Sequence, residues 1–77
     1  MTHEEKDIMA DMFYFLRDHS NPPAAGTDEG AAFWERVARE MGETAAAWKN
    51  HPLATGILMA IYEYLEWKCK EEARRKA

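Results

Sequence analysis

The stretch NHPLATGILMAIYEYLEWKCK, residues 50–70, is the most apolar part of the chain, and its reading decides the fold. On a helical wheel of about 100° per residue, Trp67, Ala60, Leu53, Tyr64, Ile57, Ile61, Ala54, Leu65, Leu58, Cys69 and Tyr62 span about 220°. Only Thr55, Gly56, Glu63, Glu66 and Lys70 form a polar wedge, with Met59 inside it. One neighbouring helix covers roughly 100° of such a circumference or a little more. A helix this apolar needs two neighbours, and the preceding sequence has to supply both.

Just before it, Asn50 and His51 make a corner, and Pro52 suits the first turn of a helix. The brevity of KNHPLA predicts an antiparallel hairpin with the helix that precedes it. That preceding helix opens at TDEG. Thr27 is a good N-cap, and Asp28 and Glu29 sit where the helix dipole favours negative charge. Phe33, Val37, Trp48, Met41, Trp34, Ala45 and Ala38 share an arc of about 140° that keeps its phase across Gly42. The expectation is therefore one helix over residues 28–49, with Gly42 on its polar side as the place where it bends or breaks.

The first helix begins at THEE, where Thr2 and Glu5 have the spacing of a capping box. Phe15, Ile8, Met12, Leu16, Met9 and Phe13 fall within about 160°, opposite Lys6, Asp7, Asp11, Arg17 and Asp18. Pro22 drives Asn21 out of the helical region, so this helix ends before NPP. SNPPAAG then reads as a stiff surface loop. The expected fold is all-α: a three-helix bundle with helices over 3–19, 28–49 and 52–72, helix 3 packed between helices 1 and 2. Lys68, Glu71 and Glu72 fall back into the apolar arc of helix 3. Residues 68–77 are therefore expected to project from the single domain of residues 1–77 as a basic helix end.

Seventy-seven residues lie near the lower limit at which one core holds without metal or disulfides. A hydrophobic share of 47% is enough for that core and excludes a disordered chain. The single cysteine, Cys69, excludes an internal disulfide and fits a reducing compartment. MTHEEKD is acidic where a signal peptide is basic and then apolar. The longest apolar run, residues 57–62, falls far short of the roughly 20 residues of a membrane span. A cytoplasmic protein without a membrane partner is expected.

Net charge is −4, unevenly spread. Of ten basic and fourteen acidic residues, five basic and two acidic lie in residues 68–77, leaving −7 on the rest. An acidic body repels nucleic-acid phosphate, and the basic end complements a helix C-terminus. The turn between helices 2 and 3 resembles that of a DNA-reading helix pair. The would-be reading face, with Thr55, Gly56, Met59, Glu63 and Glu66, has no Arg or Lys for phosphate or guanine. Nucleic-acid binding through the basic end is thus the runner-up reading.

His3, His19, His51 and Cys69 form no pair at zinc-ligand spacing, so no metal or cofactor is expected. His19 falls within the apolar stripe of helix 1 near its C-terminus, and His51 reads as a capping or turn residue. The chain has no nucleophile elbow, phosphate loop or neighbouring Cys–His pair, and an enzyme is not expected. Protein binding asks for least. Tyr14 lies on the polar face of helix 1, Met59 in the wedge of helix 3, and Tyr62 and Trp67 at the borders of its wide arc. Aromatic and Met side chains at the rim of a fold are typical anchors, for another protein or for a second copy of the chain.

The run FWERVAREMGETAAAWKNHPLATGILMAIYEYLEWKCKE, residues 33–72, resembles a group of short α-helical proteins from prophages and integrative elements of anaerobic Gram-positive bacteria. The resemblance rests on FW at Phe33 and Trp34, NHPL at residues 50–53 and YLE at residues 64–66. It implies an accessory protein of a mobile element and carries no catalytic motif.

Overall fold

The computed structural model describes residues 1–23 and 26–76, in three α-helices with no strand among them. Helix α1 is His3–His19, α2 is Asp28–Ala47 and α3 is Pro52–Lys76. α1 starts at the expected capping box: the Glu5 amide donates to Thr2 Oγ1 at 3.1 Å, and the Thr2 amide donates to Glu5 Oε1 at 2.7 Å. α2 starts where the Gly30 amide donates to Thr27 Oγ1 at 3.0 Å. α3 starts at Pro52 with His51 as its cap, the Leu53 amide donating to His51 Nδ1 at 3.1 Å. With Nδ1 accepting, Nε2 carries the proton and donates to Glu4 Oε1 at 2.9 Å. One imidazole thus ties the start of α3 to the first turn of α1.

Three boundaries depart from expectation. α2 runs unbroken through Gly42 but ends two residues early, at Ala47. Lys49 and Asn50 both take positive φ, 54° and 56°. The Asn50 amide bonds back to the Ala45 carbonyl at 2.8 Å, and the Lys49 amide to the Ala46 carbonyl at 2.9 Å. That pair of bonds is a Schellman stop, built here with Lys where glycine is preferred. The third helix runs on to Lys76 rather than residue 72, and its projecting part begins later than expected. Cys69 is buried, with Sγ 3.9 Å from the Pro23 carbonyl oxygen, and Lys68 Nζ donates to the Ser20 carbonyl. The connection after α1 therefore joins Trp34 of α2 in covering this turn of α3. Pro22 and Pro23 are half-buried as a result; Ala24 and Ala25 of the same loop, like Ala77, lie outside the described residues.

α3 packs against both other helices, most extensively against α1. Glu4 beside His51 and Ser20 beside Lys68 show that α1 and α3 run the same way. α2 runs antiparallel to both: Trp48 Nε1 donates to Asp11 Oδ2 at 2.8 Å near one end, and His19 meets Glu40 near the other. The core consists of Ile8, Met12 and Phe15 from α1, Phe33 and Val37 from α2, and Ala54, Leu58, Ile61 and Leu65 from α3. Ile8, Val37, Leu58 and Leu65 are its largest fully buried side chains. Burial of one such side chain contributes about 1.5–3 kcal/mol.

The stripes are narrower than the wheels imply. Met9 and Phe13, expected in the buried arc of α1, are exposed. So are Ala60, Tyr64 and Trp67 on α3 and Ala38 on α2. The buried side chains of α3, residues 54, 58, 61, 65 and 69, occupy only about 80° of the wheel. α1 and α2 both pack against that sector, and the flank of α3 away from α2 stays open.

Candidate functional site

The four candidate anchors lie on three sides of the bundle. Tyr14 is exposed on α1, with the edge of Phe13 at 5.5 Å between centroids and the Arg17 guanidinium 4.8 Å over its ring. Met59 and Tyr62 come together in a shallow groove between α2 and α3, of about 260 Å³, floored by Ala38 and Met41. Tyr62 is half-buried there, edge-on to Trp34 at 5.5 Å. Trp67 lies on the other flank of α3, stacked on Tyr64 with centroids 6.0 Å apart. The structure thus joins Met59 to Tyr62 and separates Tyr14 and Trp67 from them and from each other.

A polar cluster not anticipated from the sequence lies between α1 and α2. His19 is buried, with Nδ1 donating to the Phe15 carbonyl at 2.7 Å and Nε2 on the Glu40 carboxylate. Its ring stacks on Phe15 at 4.3 Å, and Phe33 lies edge-on at 6.4 Å. With both ring nitrogens facing acceptors, the bonds are filled only if the pair holds two protons between them. Asp11, Asp18, Glu40 and Glu43 line the cleft above it, of about 340 Å³, with Tyr14 at its side. No group of three or more His, Cys, Asp or Glu among the described residues is arranged to hold a metal ion. Among the described residues no buried side-chain nitrogen or oxygen lacks a partner, so the cluster reads as an interhelical clamp.

The largest apolar surface lies elsewhere. Asp11, bonded to Trp48, marks the flank of α1 that faces α2, so Met9 and Phe13 lie on the flank beside α3. Tyr62, packed on Trp34, marks the flank of α3 that faces α2, so Tyr64 and Trp67 lie on the flank beside α1. Both flanks border the α1/α3 seam on the side away from α2. The paired ends, residue 4 with 51 and residue 20 with 68, set Met9 level with Ile57, Phe13 with Ala60 and Leu16 with Tyr64. Met9 is 47% exposed, Phe13 64%, Tyr64 45% and Trp67 57%: four of the seven exposed large apolar side chains among the described residues share one face. Of these, sequence reasoning singled out only Trp67. The signal for Tyr64 was the excess width of the α3 arc, which two neighbours do not fill. For Met9 and Phe13 it was the arc of about 160° on α1, wider than one neighbour covers.

Comparison of the chain with protein-family models, with curated proteins and with solved structures gave no match. No helix among the described residues is long and apolar enough to cross a membrane.

Proposed function

We propose that this chain is a small, non-enzymatic accessory protein that works in the cytoplasm by binding another protein chain through its α1/α3 face. The exposure of Met9, Phe13, Tyr64 and Trp67 together carries the reading. Scattered exposed apolar residues are ordinary, but a contiguous patch rimmed by polar residues marks an interaction surface. Aromatic and Met side chains at such a centre supply most of the binding energy of known interfaces. The resemblance of residues 33–72 to helical proteins of prophages and mobile elements supports a setting in which small accessory proteins are common. The basic end of α3 is the weaker candidate for a nucleic-acid surface, because Lys68 is held by the Ser20 carbonyl and Arg74 by Glu71 at 2.8 Å.

A photo-crosslinking residue at position 67, compared with one at the exposed Gly42 on α2, tests the reading. Covalent capture of a protein chain at 67 well above that at 42 is expected. Equal capture at the two positions would overturn it. The mass of the adduct separates self-capture from capture of a different protein.

A further inference from the structure

The geometry points to a second copy of the chain as the occupant of the α1/α3 face, packed antiparallel across a two-fold axis near Ala60. The inference rests on the binding role proposed for that face and adds the identity and orientation of the partner.

The first observation is area. Phe13, Tyr64 and Trp67, each about half exposed, together with Met9 offer on the order of 400 Å² of apolar side-chain surface. The half-buried Leu16, Leu53 and Ile57 and the backbone around Ala60 widen the face. Doubled across a two-fold axis, the four large side chains alone give about 800 Å², and the widening residues carry the face toward the roughly 1,200 Å² at which stable interfaces begin. A chain this short gains stability from association, and its own copy is the partner always present.

Shape and charge then choose the orientation. The exposed centre of the face on α3 is small: Ala60, between Tyr64 and Trp67 on the wheel and with Gly56 at its edge. Two α3 helices can cross closely there, and in an antiparallel crossing each Trp67 falls beside the partner copy's half-buried stretch around residue 53. α1 and α3 run the same way, so the two ends of the face differ in charge. One end has the acidic first turn of α1, with Glu5 and with Glu4 on His51. The other has the overhang of α3, residues 68–77, where five basic residues outnumber Glu71 and Glu72 even with Arg74 paired to Glu71. An antiparallel pair sets unlike ends together and opposes the helix dipoles, whereas a parallel pair sets like ends together.

Sedimentation equilibrium on the full chain at micromolar to millimolar concentration reads the mass directly, without a variant. The expected result is twice the 8.9 kDa of one chain. Ala60→Glu and Trp67→Glu, both at exposed positions, are each expected to weaken the dimer at least tenfold while the helical circular dichroism stays unchanged. Spin labels on Lys70→Cys, in a Cys69→Ser background, are expected about 30 Å apart, twenty residues of helix at 1.5 Å each. A single-chain mass throughout, a dimer indifferent to both glutamates, or labels closer than about 20 Å would overturn the inference. A single-chain mass combined with capture of a different protein at position 67 would leave the proposed binding role standing and remove only the second copy.

Discussion

Tyr62 and Tyr64 are two residues apart on α3 and have opposite surroundings. Tyr62 is half-buried against Trp34 of α2, while Tyr64 is 45% exposed and stacks on Trp67 of its own helix. At about 100° per residue they point some 160° apart, so one flank of α3 is built into the bundle and the other is not. The lesson is that apolar width on a wheel measures how much cover a helix needs in total. It does not say how much its own chain provides.

Breaking the shared floor of both flanks should cost most. Leu65→Ala, at a fully buried position, is expected to lose about 2–5 kcal/mol by chemical denaturation, a large part of the stability of a domain this size. A loss below about 1 kcal/mol would mean that the core is not shared by the three helices. The comparison itself is sharpened by Tyr62→Ala and Tyr64→Ala in dilute solution. The first removes the edge contact with Trp34 and should lose about 2 kcal/mol; the second should stay within about 0.5 kcal/mol. Equal losses would erase the distinction between the flanks.

Smaller effects test α2, the helix that makes the covered flank. Lys49→Gly relieves a left-handed residue at the Schellman stop and should stabilise by about 1 kcal/mol, read as a rise in denaturation midpoint. Gly42→Ala, with nothing within 4 Å of the added Cβ, should stabilise by a little under 1 kcal/mol, as in any exposed helix interior. A destabilising alanine at 42 would mean that α2 is not the straight-through helix described.

The number of helices, their starting caps and their order were legible because Thr2 with Glu5, Thr27 and Pro52 act locally. The end of α2 was not, since nothing about Lys49 announces a left-handed backbone. The cover given to Lys68 and Cys69 by residues 20–23 was missed for a related reason: a wheel counts helices as neighbours and leaves loops out. The His19–Glu40 clamp joins residues 21 positions apart, one in an apolar stripe and one beside another, and no spacing rule connects them. Most telling is the open face. Met9, Phe13 and Tyr64 look like core in sequence because they are core-like in chemistry, and only the azimuth of α1 and α2 around α3 reveals that they stay about half exposed.

The parallel docking of α1 on α3 also bears on how the chain assembles during synthesis. Its contacts join positions nearly fifty residues apart, such as Ser20 with Lys68, whereas α2 and α3 are separated by a corner of four residues. Closing the short loop is entropically cheaper, so the α2–α3 hairpin forms early and α1 docks last. On the ribosome, the first helix to emerge has only α2 to pack against until the last one leaves the exit tunnel, so Ile8, Met12 and Phe15 stay incompletely covered until then. Any delay in translating the final third of the message therefore lengthens the interval in which those side chains are open to aggregation.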